Sequence, residues 1–202
     1  MNIIKRYGRL LTHPVAGYND LLERGECSLP LSLCFYALLV LALIVNRELT
    51  GFAFSTGEAF SSWMMLLGVF GGAILWSLTN WAISTLFDGK GRLKQILFFT
   101  AIATIPYTLS LLINTLLSNL LAPDEGMFLG FVTGLGLLWG ILLLLVGLML
   151  LHDYTLFRVI WSSLFSIACI AVVLFLAVLF YSLFMQLYGF LADMGNELSY
   201  RM

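Results

Sequence analysis

Five long apolar runs divide this chain of 202 residues. A helix of about 20 apolar residues crosses the ~30 Å hydrocarbon layer of a bilayer, so each run is long enough to span a membrane. Because 61% of the residues are hydrophobic and only 10% are charged, against about 25% charged in soluble domains, the chain cannot cover a folded core with a polar surface. The sequence therefore predicts an all-α integral membrane bundle of five transmembrane helices, over residues 29–46, 62–87, 95–121, 127–151 and 158–191.

The basic residues lie almost entirely on one side of this predicted bundle. Of ten lysines and arginines, only Arg47 and Arg201 fall in segments of the other side. Excess Lys and Arg mark cytoplasmic loops, so the N-terminus is predicted to be cytoplasmic and the C-terminus extracytoplasmic. The net charge of −1 argues against nucleic acid as a partner. The eight residues of the basic side are Lys5, Arg6, Arg9, Arg24, Lys90, Arg92, Lys94 and Arg158.

The two ends of the chain lie outside the predicted spans. Residues 1–28 form an amphipathic segment with apolar residues at helical spacing, and a second short helix is expected to begin at Pro14. Both helices are expected to rest in the cytoplasmic headgroup layer. The fifth run is longer than one crossing requires, which predicts a tilted or projecting helix followed by a polar external tail at residues 192–202.

Glycines four residues apart predict close helix contacts inside the bundle. Gly68 and Gly72 form one such pair in the second run, and Gly136 and Gly140 form another in the fourth. Small residues at this spacing let two helix backbones approach closely. The same spacing is also compatible with a dimerisation face or a gating hinge.

The third run carries a stripe of polar residues and one proline. Pro106 lacks a backbone N–H, so it is expected to kink the helix. The stripe either bonds to neighbouring helices or lines a hydrophilic path for a small solute. Its members, spaced by three, four or seven residues and therefore on one helix face, are Thr100, Thr104, Tyr107, Asn114 and Ser118.

Two polar features lie in the predicted cytoplasmic connections. The segment 88–94 contains Lys90, Arg92 and Lys94, which suit an anionic lipid headgroup or an acidic partner, although a role in orienting the chain would also explain them. His152 and Asp153 close the fourth run, either as a helix cap or as a proton-transfer pair.

The sequence offers no pattern typical of an active site. It contains no nucleophile–base pair, no paired carboxylates within a span and no metal-ligand cluster, and its three cysteines are not spaced as a disulfide framework. We therefore expect a protein that is not an enzyme and that needs no cofactor or metal.

Several short motifs occur in combination: His13-Pro14-x-x-Gly17-Tyr18, Trp76, Asn80, Asp88-Gly89-Lys90-Gly91, Ile105-Pro106-Tyr107 and His152. Together they resemble the Yip-domain family, named for Ypt/Rab-interacting membrane proteins, and especially its compact bacterial branch. The resemblance implies a five-span domain at residues 29–191 with a cytoplasmic N-terminus, in a bacterial plasma membrane. Eukaryotic members bind prenylated Rab GTPases and carry a longer cytosolic N-terminal region, and residues 1–28 are not expected to take that GTPase-binding role.

Two hypotheses about function follow from these observations. The first is a membrane scaffold or accessory protein that contacts lipids, another membrane protein or a transporter complex through Lys5, Arg6, Arg9 and the 88–94 segment, with homo-oligomerisation left open. The second is a small-solute permease or channel component that uses the polar stripe of the third run.

Overall fold

The structure is a computed structural model that describes residue 8 and residues 10–25, 27–54 and 61–201, with side chains described as far as residue 194. Within these ranges, the chain forms helices and no strand. Five helical segments are long and apolar enough to cross a membrane, which confirms the predicted all-α five-span architecture. Lys5, Arg6 and Arg9, named above as contact residues, lie outside the described residues.

The helices are numbered in chain order. Short 3₁₀ turns at Phe52–Phe54 and Pro123–Glu125 occupy two of the connections between them. The α-helices are α1 (Pro14–Arg24), α2 (Leu29–Leu49), α3 (Ser62–Leu86), α4 (Leu93–Ala103), α5 (Ile105–Ser118), α6 (Gly126–His152) and α7 (Leu156–Arg201).

The third span is made of two helices, α4 and α5, that are separated at Thr104. Pro106 is in the first turn of α5, where its missing N–H cannot bond to the carbonyl of Ile102. The N–H of Thr104 instead donates to the carbonyl of Ala101 at 3.2 Å, a tighter turn than the α-helix makes. The interruption agrees with the kink that the sequence predicts at Pro106.

Helix α4 forms the centre of the bundle. It packs against α2, α3 and α6, and the side chains of Ile96, Phe98, Phe99 and Ile102 have no exposed surface. Inside a membrane, where lipid is as apolar as the protein core, this helix stabilises the bundle through close van der Waals packing. By contrast, most large apolar side chains of the other spans are exposed on the surface that a bilayer would cover.

Helix α1 packs against the bundle, and its position in the headgroup layer stays a prediction. Tyr18 has no exposed surface, and its ring centroid lies 4.8 Å from that of Phe99 in α4. Just before α1, the Leu11 carbonyl accepts a hydrogen bond of 3.2 Å from Nε1 of Trp139. Trp139 precedes His152, the last residue of α6, by 13 residues, or about 20 Å along the helix axis. The apolar face of α1 is therefore covered by protein.

Two glycines allow this packing. A Cβ atom at Gly17 would lie 2.6 Å from Cα of Leu10, so only glycine lets the preceding turn fold back onto α1. A Cβ atom at Gly147 of α6 would lie 3.1 Å from Cζ of Tyr18. The Gly17-Tyr18 motif thus has a packing explanation.

Helix α7 is much longer than a membrane crossing requires. Its 46 residues extend over about 69 Å, against ~30 Å of hydrocarbon. The helix continues to Arg201, through the segment that the sequence predicts as a polar tail. Its buried side chains are confined to the first turns, and none is buried between residues 171 and 194.

The connections meet at the two ends of the bundle. At one end, called the basic end below, the α3–α4 connection (residues 87–92) contacts the α6–α7 connection (residues 153–155). At the opposite end, the N–H of Gly51 donates to Oγ of Ser118 at 3.0 Å, and Nδ2 of Asn119 donates to the Leu49 carbonyl at 2.8 Å. Successive spans therefore alternate in direction.

Candidate functional site

The basic end is organised around His152, the last residue of α6. The backbone N–H of Gly91 donates to His152 Nδ1 at 3.3 Å. A Cβ atom at Gly91 would lie 2.6 Å from His152 Cε1, and one at Gly89 would lie 2.6 Å from His152 Nδ1. At Gly89 and Gly91, the imidazole of His152 fills the space that a side chain would need, so a larger residue does not fit there.

Tyr154 joins the two connections at this end. Its hydroxyl lies 2.9 Å from the carbonyl oxygen of Phe87 and 3.2 Å from that of Ser84, so its single proton is shared between two acceptors. Its ring stacks on His152 with centroids 5.2 Å apart. Burial raises the pKa of Tyr154, while the charge of Arg158 lowers it and that of Asp88 raises it. Nothing in the sequence marks this tyrosine except that it is the one aromatic residue between His152 and Leu156.

Arg158 reinforces the same contact from the first turn of α7. Its Nη2 donates to the carbonyl of Phe87, and its guanidinium carbon lies 4.7 Å from the centroid of the Tyr154 ring. Two exposed ion pairs also cross between the connections, Lys90 Nζ to Asp153 Oδ2 at 2.9 Å and Arg158 Nη2 to Asp88 Oδ2 at 3.8 Å. Exposed pairs of this kind contribute only about 0–1 kcal/mol each. The Tyr154 hydrogen bonds and the packing of Gly89 and Gly91 against His152 therefore contribute more to the contact between the two connections than the ion pairs do.

His152 and Asp153 are adjacent in sequence but have different partners. Asp153 follows α6 with φ of 59°, in the left-handed region that aspartate tolerates, and its carboxylate accepts from Lys90. His152 accepts from Gly91. Asp153 therefore ends α6, and His152 holds the α3–α4 connection through Gly91.

Arg92 and Lys94 differ from Lys90, the third basic residue of the 88–94 segment. Lys90 is paired with Asp153, whereas Arg92 and Lys94 are exposed and form no ion pair within the part of the chain that the structure describes. The N–H of Arg92 donates to Gln95 Oε1 at 2.9 Å, which fixes the start of α4. These two cations are thus presented at the first turn of the best-packed helix.

The hydroxyls in the first half of the polar stripe bond to their own helix. Thr100 Oγ1 donates to the Ile96 carbonyl at 2.8 Å, and Thr104 Oγ1 donates to the Ala101 carbonyl at 2.7 Å. Such bonds satisfy a hydroxyl inside a span without a neighbouring helix or water.

The remaining stripe residues contact three different parts of the chain. Asn114 Nδ2 donates to the Leu129 carbonyl of α6 at 3.0 Å, and Ser118 Oγ accepts from the N–H of Gly51. Tyr107 packs against the apolar cluster that contains Leu39 of α2. The structure therefore does not bring the five predicted stripe residues together around one space.

The predicted packing glycines fall into two groups. Gly136 and Gly140 face the third span: a Cβ atom at Gly140 would lie 2.7 Å from the Ala103 carbonyl oxygen, and one at Gly136 would lie 2.9 Å from the Pro106 carbonyl oxygen. A Cβ atom at Gly68 or Gly72 would meet no atom within 4 Å. The expected helix contact at Gly68 and Gly72 is thus absent among the described residues, because their side of α3 faces outward.

The family assignment rests on one comparison. The Yip1 domain matches residues 8–179, which include the motif residues from His13 to His152. The chain belongs to the Yip1 family. No curated protein matches it, and no solved structure does. As a Yip1-domain protein with five apolar spans, it is a multi-pass membrane protein.

Proposed function

We propose that this protein is a non-enzymatic accessory protein of the bacterial plasma membrane, whose basic end binds anionic lipid headgroups or an acidic partner segment. The observation that carries the proposal is the exposed pair Arg92 and Lys94. Every other described arginine or lysine of the basic end has an ionic partner: Arg24 with Asp20, Lys90 with Asp153 and Arg158 with Asp88. No carboxylate of the described residues pairs with Arg92 or Lys94, so both can pair with an external anion.

The local packing supports a binding role for this pair. The segment before Arg92 is held by the fit of Gly89 and Gly91 against His152, and the segment after it is α4. Cations on a fixed support lose less conformational entropy on binding than cations on a free loop. Each basic residue near an anionic membrane surface contributes about 1 kcal/mol, so the pair supplies roughly 2 kcal/mol.

The permease hypothesis has less support. Thr100 and Thr104 donate to carbonyls of their own helix, and Asn114 donates to α6. Side chains that are satisfied in this way need no solute, and only the Asn114 bond among these three joins two helices.

Charge reversal at the exposed pair tests the proposal. The variant R92E/K94E should retain at least about tenfold less anionic lipid after purification in mild detergent, or lose its crosslinked acidic partner, since the loss of roughly 2 kcal/mol exceeds the 1.4 kcal/mol that corresponds to a factor of ten. The control R92K/K94R keeps both charges and should behave as the unchanged protein. Lipid mass spectrometry and in-cell crosslinking distinguish the two kinds of ligand. Unchanged lipid retention together with unchanged crosslinks in R92E/K94E would refute the proposal.

A further inference from the structure

An apolar groove lies between α2 and α5 in the membrane-spanning part of the bundle. It encloses about 240 Å³. One wall is a row of α2 residues from Leu38 to Val45, and the other is a row of α5 residues from Ile105 to Leu112, each at the helical spacing i, i+3, i+4 and i+7. Each row extends over about 10 Å of its helix. The groove is therefore elongated along the two helices.

Hydrogen bonds between helices hold the two walls of the groove in place. Nδ2 of Asn46 in α2 donates to Thr115 Oγ1 at 3.0 Å and to the carbonyl of Leu111 at 3.3 Å, both in α5. Nearer the basic end, the hydroxyl of Tyr36 in α2 donates to the carbonyl of Leu97 in α4 at 3.1 Å. The groove is thus part of the folded bundle, and no helix has to move before an occupant can enter it.

The lining of the groove selects an apolar occupant. Among the lining residues that the structure describes, Thr108 alone has a polar side chain, and its hydroxyl donates to the Thr104 carbonyl at 2.9 Å. A buried water needs about two to four polar partners, which this lining does not offer. An apolar cavity of about 150 Å³ is large enough to take benzene, so the larger groove has room for a stretch of hydrocarbon chain.

The groove opens to the lipid-facing surface of the bundle. Its lining includes Leu41, which is 55% exposed, and Leu109, which is 47% exposed, whereas Ala42 is buried. Ala42 follows Leu29, at the basic end of α2, by about 20 Å and precedes Leu49, at the other end, by about 10 Å. Each leaflet supplies about half of the ~30 Å hydrocarbon layer. The lipid chains at the depth of the groove therefore belong to the leaflet opposite the basic end.

We propose that this groove binds one acyl chain of a membrane lipid from the leaflet opposite the basic end. A chain in the groove contacts protein on both walls and on the floor, whereas a chain on a convex helix face contacts protein on one side. Many weak dispersion contacts add up, so the chain in the groove stays longer. The site is separate from Arg92 and Lys94 at the basic end, and it goes beyond the headgroup binding proposed above.

Photocrosslinking tests the acyl-chain site. The full chain is placed in phosphatidylcholine nanodiscs that contain a small fraction of phosphatidylcholine with a diazirine in the middle of one acyl chain, and mass spectrometry measures the crosslink yield at each residue. Leu109 and the reference residue Val172 each lie about 24 Å along their spans from Leu93 and Leu156, the first residues at the basic end. Val172 is the more exposed of the two, at 56%. Leu109 should nevertheless be labelled at least about threefold more strongly, because the groove retains the chain.

Filling the groove separates it from the surrounding lipid. Ala42→Phe should lower the yield at Leu109 to that at Val172, and Val45→Phe replaces it as the filling variant if A42F does not fold. The matched control Ala171→Phe adds the same side chain on the exposed surface of α7 and should leave the yield at Leu109 unchanged. Equal yields at Leu109 and Val172 in the unsubstituted protein, or an unchanged yield at Leu109 in the filled variant, would reject the site. A yield at Leu109 below that at Val172 would mean that a protein segment occupies the groove, and would also overturn the proposal.

Discussion

At the scale of single residues, His152 is enclosed by backbone. Gly89 and Gly91 approach it so closely that a methyl group at either position would overlap the imidazole. Tyr154 stacks on one face of the ring. The Gly-Lys-Gly sequence of the α3–α4 connection is therefore explained by a histidine that lies 61 residues away from Gly91 in sequence.

The substitution Gly91→Ala should destabilise the protein. Its Cβ would lie 2.6 Å from Cε1 of the buried His152 and 3.0 Å from Cγ of Leu151, so two side chains would have to shift. Overpacking of this kind costs about 1–3 kcal/mol, which should appear as a lower melting temperature in detergent. Gly72→Ala is the matched control, because a Cβ there meets no atom within 4 Å and should leave the melting temperature unchanged or slightly raised. Equal melting temperatures for G91A and the unsubstituted protein would contradict this packing.

At the scale of helices, the break in the third span packs against two glycines of α6. Gly140 packs on the Ala103 carbonyl at the end of α4, and Gly136 packs on the Pro106 carbonyl in the first turn of α5. Because glycine has no side chain, it lets a second helix approach the backbone closely on both sides of the interruption. The two glycines thus accommodate the kink that Pro106 produces.

The substitution Gly140→Ala should separate α6 from the third span. Its Cβ would lie 2.7 Å from a backbone oxygen, which cannot rotate away as a side chain can. We expect a loss of about 1–3 kcal/mol in unfolding free energy, measured by equilibrium denaturation in mixed micelles. Gly134→Ala, on the same helix, meets no atom within 4 Å and should cost little. Since alanine favours a helix more than glycine does, a G134A protein that is as unstable as G140A would show that the contact with Ala103 does not determine the effect.

Some helix contacts could be predicted from the sequence and others could not. The five spans and the kink at Pro106 follow from apolar length and from proline chemistry, which are local properties. The spacing of Gly68 and Gly72 is the same as that of Gly136 and Gly140, yet only the second pair meets another helix. Spacing fixes which face a residue is on, but the fold determines whether that face has a neighbour.

The burial of α1 could not be predicted for the same reason. An apolar face with Tyr18 and Leu21 fits a lipid headgroup layer and a protein groove equally well. Gly147, five residues before the end of α6, leaves the space for Tyr18, and no sequence pattern within α1 indicates that space. The ionic partners of Lys90 and Arg158 likewise depend on which connections meet at the basic end.

At the scale of the whole molecule, the bundle and α7 differ in how they are held. Helices α1 to α6 enclose the buried centre around α4, whereas α7 is attached through Val159, Ser162 and Ser166 in its first turns. The rest of α7 is apolar as far as Leu191 and exposed. Its stability in a membrane must come from lipid contact and its own backbone hydrogen bonds.

Removal of the outer part of α7 should therefore leave the bundle intact. A chain that ends at Ser182 keeps 27 residues of α7, about 40 Å of helix, which still crosses the bilayer. We expect its melting temperature to change by less than about 2 °C, which corresponds to less than about 1 kcal/mol. The comparison variant is Ser166→Leu, which places a large side chain at a position with no exposed surface and should lower the melting temperature clearly. If the shortened chain melts as early as S166L, or elutes from a sizing column as a smaller oligomer than the full chain, then the outer part of α7 is packed against protein rather than lipid.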